Sequence, residues 1–129
     1  MRKILVVDDD PAIIRLLSAV LRYEAMKVVQ TNQGEEALSL IEREKPDLVL
    51  TDFSMPGING MEICRRVKQN PRTAHIPVIL MTGALTRTDC QQTLAQGVDG
   101  FLQKPFSVKQ LLDLMNAVTG NNGAPRPNA

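Results

Sequence analysis

The sequence predicts an α/β fold: a doubly wound, five-stranded parallel sheet of (βα)5 form, strand order 2-1-3-4-5. Two observations predict it. Short apolar, β-branched runs alternate with stretches of helical periodicity five times over, the signature of repeated βα units. The first, third and fourth runs are wholly apolar and suit central strands, while the second and fifth are weaker and suit the edges. The order 2-1-3-4-5 with right-handed crossovers satisfies both.

Each element has its own signal. Ile4-Leu5-Val6-Val7 is a buried-type strand stopped by Asp8-Asp9-Asp10-Pro11, where Asp10 and Pro11 read as N-cap and first-turn proline. Ile13, Leu17, Val20 and Leu21 then recur at helical spacing, with Arg15 and Arg22 off the stripe. Val28-Val29 is the weaker second strand, and Asn32 to Gly34 opens a helix carrying Ala37, Leu38 and Ile41. Leu48-Val49-Leu50 is the third strand; Gly60 begins a helix expected to turn Met61, Cys64 and Val67 inward. Pro77 precedes the fourth strand, Val78-Ile79-Leu80-Met81, which ends at Thr82-Gly83. A thinly apolar fourth helix is expected over about residues 87–96, anchored by Cys90 and Leu94. Phe101-Leu102 forms a short fifth strand leading to Lys104-Pro105-Phe106. The last helix starts near Ser107 and carries Leu111, Leu114, Met115 and Val118. From Gly120 periodicity stops, so residues 121–129 are expected to be a flexible tail or truncated linker.

Composition narrows the function. The 129 residues suit one domain with one core. A net charge of +1 and 3% aromatic residues argue against nucleic acid as the direct partner. No apolar run approaches the roughly 20 residues of a membrane span. Met1-Arg2-Lys3 precedes only four apolar residues and then acids, so no signal peptide is expected and the location is expected to be cytoplasmic. Cys64 and Cys90 lack metal-ligand spacing and are expected to be reduced, packed thiols.

In such sheets ligands bind beyond the carboxyl ends of the strands, near the switch point between strands 1 and 3. Those ends supply Asp8, Asp9 and Asp10, then Asp52, then Thr82, then Lys104. Each has an ordinary explanation alone: helix capping for the acids, a strand-end hydrogen bond for Thr82, an exposed lysine for Lys104, a tight turn for Met55-Pro56-Gly57. Their joint occurrence on one rim does not. Clustered carboxylates repel one another, and a hard cation such as Mg²⁺ relieves the repulsion. Acids, cation, ammonium and hydroxyl together are the parts that stabilise a phosphoryl group in transfer.

Four pieces carry a family resemblance: Ile4 to Pro11; Asp47 to Gly60 with Asp52 and Met55-Pro56-Gly57; Thr82-Gly83; and Lys104-Pro105-Phe106. Over about residues 3–119 the chain resembles the receiver domain of two-component response regulators, a flavodoxin-like fold, which places the domain at residues 1–120. The resemblance implies that Asp52 is the phosphoacceptor and that Asp8 and Asp9 form the Mg²⁺-binding pair. Asp9 would be the more direct ligand, the backbone carbonyl of Ser54 would complete the set, and Asp10 would cap its helix. Lys104 and Thr82 would stabilise the phosphoryl oxygens. Thr82 and Phe101 would act as the switch, Phe101 without the hydroxyl of a tyrosine.

The resemblance further implies a histidine kinase or histidine phosphotransfer protein as donor, and an effector protein or fused output domain as target. The face formed by the fourth helix, fifth strand and last helix would be the readout surface and could support a phosphorylation-dependent dimer. The domain would be a signalling switch, assisting its own phosphorylation and dephosphorylation, rather than a metabolic enzyme. Ser54 and Ala84 occupy positions that tune phosphoryl lifetime in this family, and neither is charged. Gly83 should leave the phosphoryl site open.

The nearest alternative is a haloacid-dehalogenase-like phosphatase, whose first motif Asp8-x-Asp10 imitates, although Ala12 stands where that family has Thr or Val. A flavodoxin-like flavin binder would need a Ser/Thr/Gly-rich loop after strand 1, which is missing. A receiver that signals without phosphorylation is disfavoured by the intact acids, Thr82 and Lys104. No output domain follows within these residues, so a single-domain regulator or a fragment is expected.

Overall fold

The computed structural model describes residues 2–83, 91, 94, 95 and 97–119. In chain order the elements are β1 (Lys3–Val7), α1 (Pro11–Tyr23), β2 (Lys27–Thr31), α2 (Gly34–Glu44), β3 (Leu48–Asp52), α3 (Gly60–Gln69), β4 (Val78–Thr82), β5 (Gly100–Gln103) and α4 (Val108–Thr119). The strands form one sheet, β2-β1-β3-β4-β5, and every pairing is parallel. The predicted order holds for the reason that predicted it. All five residues of β3 and of β4 are buried, whereas the edge strands β2 and β5 are only partly covered.

Strand alternation divides the core into two layers. Leu5, Val7, Val49, Val78 and Leu80 face α2 and α3, meeting Ala37, Leu40, Ile41, Ile63, Cys64 and Val67. Ile4, Val6, Leu48, Leu50, Ile79 and Met81 face the other way, against Leu17 and Leu21 of α1 and Leu111 and Met115 of α4. In α3 the inward face is Gly60, Ile63, Cys64 and Val67. The expected Met61 is only half-buried, because the i, i+3, i+4, i+7 phase runs through Ile63 instead.

The helices begin where local chemistry starts them. The Asp10 carboxylate accepts the Ala12 N–H at 2.9 Å, with Pro11 in the first turn of α1. The Asn59 side chain accepts the Glu62 N–H at 2.9 Å to open α3. Ser107 and Gln110 exchange two bonds at the start of α4: Gln110 N–H to the Ser107 hydroxyl, 3.0 Å, and Ser107 N–H to the Gln110 side chain, 2.8 Å. That reciprocal pair is a capping box.

Most of the predicted fourth helix, Cys90 included, lies outside the described residues, as does Ala84. Leu94, expected as an anchor there, is 58% exposed. Gln91, Leu94 and Ala95 share one helical face, and all three are exposed. Among the described residues no helix is long and apolar enough to cross a membrane.

Close packing of α3 against the end of β3 sets the loop after Asp52. The Gly60 N–H donates to the Phe53 carbonyl at 3.0 Å. A Cβ at Gly60 would collide with the Asp52 carbonyl oxygen and stand 2.9 Å from Leu80 Cδ2. The carbonyl belongs to the backbone of β3 and cannot yield without moving that central strand. Gly60→Ala should therefore lower stability by about 1–3 kcal/mol, seen as a lower urea midpoint at unchanged slope. An unchanged midpoint would mean that the approach is looser than the structure shows.

Candidate functional site

Three strands end in the residues that meet at the rim. β1 delivers Asp8, which is fully buried, and the exposed Asp9 follows it. β3 ends in Asp52, 9% exposed, and β4 ends in the buried Thr82. Lys104 follows β5, with its backbone N–H bonded to the Thr82 carbonyl at 2.6 Å. The Lys104–Pro105 peptide is cis.

Carboxylate oxygens of Asp8, Asp9 and Asp52 all lie within 4.8 Å of one another. Lys104 Nζ donates to Asp8 Oδ2 at 2.9 Å and stands 3.6 Å from Asp52 Oδ1. The second Asp8 oxygen accepts the Asp10 N–H at 2.9 Å. Thus the most deeply buried acid of the three has a partner on each oxygen, which a buried charge requires.

Among the described residues one ammonium faces three carboxylates, and it cannot neutralise them all. At these separations each opposite pair is worth about 4 kcal/mol at an effective dielectric of about 20, and each like pair costs a comparable amount. Asp52 shows the imbalance. Burial and the neighbouring Asp8 push its pKa above the usual 3.8, and Lys104 with the Ser54 backbone N–H only partly offsets them. Burial also works against the charge of Lys104, but the hydrogen bond and charge of Asp8, with Asp52 behind it, outweigh this and hold its pKa above 10.5.

Asp10 does not join the cluster: its side chain caps α1. Thr82 sits one register position beyond Met81, the β4 residue opposite Asp52. Phe101 is opposite Leu80, two positions back from the rim, half-buried against the α2–α3 layer. Ser54 is exposed in the loop after β3. Cys64 is buried, and burial pushes its thiol up to about 11, so it stays protonated at neutral pH.

A cleft of about 510 Å³ beside Asp9 escaped the sequence reading. Arg15 of α1, Thr31 at the end of β2, Asn32 after it and Glu36 in the first turn of α2 help to line it. The Thr31 hydroxyl is bonded to the Glu36 carboxylate and also accepts the Gln33 N–H at 3.2 Å. No apolar periodicity marks such a feature, so only the polar end of β2 could have hinted at it.

Comparison with known proteins agrees with this geometry. Residues 4–116 match the family described as the response regulator receiver domain. Response regulator PleD of Caulobacter vibrioides is 41% identical over 117 residues, covering 91% of this chain and 26% of PleD. Protein PilH of Pseudomonas aeruginosa is 37% identical over 118 residues, covering 92% of this chain and 98% of PilH. The chain thus spans about a quarter of PleD and nearly all of PilH. Other matching relatives are named as DNA-binding response regulators, of which the chain spans about half. The receiver domain of sensor histidine kinase PA1611 from P. aeruginosa, solved with a magnesium ion in its active-site cleft, superposes with a TM-score of 0.84 at 26% identity. That match covers 93% of this chain and 98% of the PA1611 domain. The phosphatase alternative finds no support, since Asp10, the second acid of its motif, is spent on capping α1. With its parallel 2-1-3-4-5 sheet and its match over residues 4–116, the chain belongs to the response regulator receiver domain family.

Proposed function

We propose that Asp52 accepts a phosphoryl group from a phosphohistidine on a histidine kinase or histidine phosphotransfer protein, with Mg²⁺ as cofactor. The observation that carries this reading is the convergence of Asp8, Asp9 and Asp52 within 4.8 Å around a single ammonium. The donor set suits a hard divalent cation, because all three side-chain ligands are carboxylates and their charge is under-compensated. Asp8, Asp9, Asp52 and the Ser54 backbone carbonyl would hold it. When bound, Mg²⁺ supplies charge neutralisation for the phosphoryl oxygens.

The chain's own residues do the rest. An Asp52 carboxylate oxygen attacks phosphorus in line with the leaving imidazole. The P–O bond forms, the P–N bond breaks, and its electron pair returns to the ring nitrogen. Lys104 Nζ, 3.6 Å from Asp52 and steadied by Asp8, is within reach of oxygens added at Asp52. Thr82, at the end of the adjoining strand, supplies a hydroxyl on the same rim. Water later cleaves the acyl phosphate at the same site, so the domain assists both its phosphorylation and its dephosphorylation.

Thr82 and Phe101 are the proposed switch. Movement of the Thr82 hydroxyl toward the phosphoryl group would change the packing of Phe101 on the edge strand β5. That strand, with α4 and the segment before β5, would present the altered face to an effector protein, a fused output domain or a second copy. Near-neutral charge and sparse aromatics favour protein partners over direct nucleic-acid contact, in the cytoplasm.

Asp52→Asn should abolish phosphate incorporation from acetyl phosphate and Mg²⁺, measured with radiolabelled donor. Labelling at the wild-type level in that variant would refute the assignment.

The raised Asp52 pKa also fixes a pH dependence. A carboxyl whose folded pKa is raised contributes stability that is complete below its unfolded value and lost as pH rises through the folded value. Without Mg²⁺, Asp52→Asn should therefore melt above wild type at pH 7, with the gap closing as pH falls below about 4. Saturating Mg²⁺ should raise the wild-type midpoint more than that of the variant. A variant that melts below wild type at pH 7 in Mg²⁺-free buffer would contradict the charge balance described for the rim.

A further inference from the structure

Far from the rim, at the opposite edge of the sheet, one lysine is bonded as fully as a lysine can be. Lys68 of α3 is mostly buried, and its Nζ reaches the Ile76 carbonyl at 2.8 Å, the Ala74 carbonyl at 3.3 Å and Asp99 Oδ2 at 2.9 Å. An ammonium has three protons, and here there are three acceptors. Two belong to the loop before β4 and the third to the residue before β5. Asp99 in turn accepts the Val78 N–H on Oδ2 at 2.8 Å and donates its own N–H to the Val78 carbonyl at 2.9 Å. The stem of Lys68 is also in use: a Cβ at Gly97, which has φ +90°, would stand 3.1 Å from Lys68 Cγ.

β5 needs such an anchor. It is a four-residue edge strand with one neighbour, and only Leu102 within it is buried. It is fastened to β4 at its start through Asp99 and at its end through the Lys104 N–H on the Thr82 carbonyl. Lys104 Nζ must reach Asp8 from the far end of this strand. Any fraying or slip at Asp99 is transmitted along four residues to the ammonium at the rim.

We propose that Lys68 is a positioning residue for phosphoryl transfer, acting through Asp99 and β5 on the placement of Lys104. This rests on the assignment of Asp52 and Lys104 given above. Lys68 fixes Asp99 on β4, Asp99 fixes the register of β5, and the register of β5 fixes where Lys104 begins. The three acids lie at the carboxyl ends of β1 and β3, whereas the bonds of Lys68 go to the loop before β4 and to Asp99. Loss of the clamp therefore slows transfer without weakening Mg²⁺ binding, because an ammonium that retreats from Asp8 and Asp52 competes less with the cation.

The test compares wild type, Lys68→Met, Asp99→Asn and the double variant, each well below its melting temperature. Met keeps an unbranched stem and removes the ammonium; Asn keeps an oxygen for the Val78 N–H and removes the charge. The limiting rate of phosphate uptake from saturating acetyl phosphate should fall about tenfold in each single variant. Mg²⁺ binding measured by calorimetry should be no weaker than in wild type. The double variant should be no slower than the slower single, as for residues acting in one chain of contacts. A wild-type limiting rate in folded Lys68→Met overturns the proposal, and so does a rate loss matched by weaker Mg²⁺ binding. If Lys68→Met does not fold, Asp99→Asn decides by the same two readings. Failure of the underlying assignment looks different: wild type itself would then take no phosphate onto Asp52.

Discussion

Three carboxylates share the end of this sheet with a single ammonium, and the local architecture follows from that imbalance. Lys104 bonds Asp8 at 2.9 Å and approaches Asp52 at 3.6 Å, which is the positive charge that lets the acids coexist. It is not enough, and the raised pKa of Asp52 records the deficit. A folded chain tolerates such a deficit only where function requires it, because a neutral residue at Asp52 would pack at less cost. The site is poised to gain a cation and then a phosphoryl group, each of which changes the charge at the same few atoms.

The parallel sheet is what gathers these groups. All five strands run the same way, so residues distant in sequence end side by side. The two edges of the sheet have different tasks. At the carboxyl edge, acids face one another and stay under-compensated. At the amino edge, acids are fully engaged: Asp47 accepts the Lys3 N–H at 2.8 Å, and Asp99 holds both Val78 and Lys68. One edge is built to be fixed and the other to respond. The weak edge strand β5 joins them, carrying Phe101 in its middle and Lys104 at its far end.

Much of this was legible in the chain because it depends on local pattern. Wholly apolar runs marked the central strands, and polar residues closing those runs marked the rim. Asp10-Pro11 and Gly60 announced helix starts. The misses are equally physical. Met61 and Ile63 are both apolar, and only the fit of α3 against the end of β3 decides that Ile63 turns inward. Leu94 is apolar yet shares an exposed face with Gln91 and Ala95. Lys68 reads as one more surface lysine on a helix, since its acceptors come from the next loop and from the segment before β5. Long-range polar contacts leave no periodic trace in sequence.

The most direct test of the charge imbalance at the rim is a pH titration of the Asp52 side-chain carboxyl by ¹³C NMR, with and without Mg²⁺. The account predicts a midpoint above the ordinary 3.8 in Mg²⁺-free buffer and a lower midpoint once Mg²⁺ is added. A midpoint at or below the ordinary value that does not move with Mg²⁺ would contradict it.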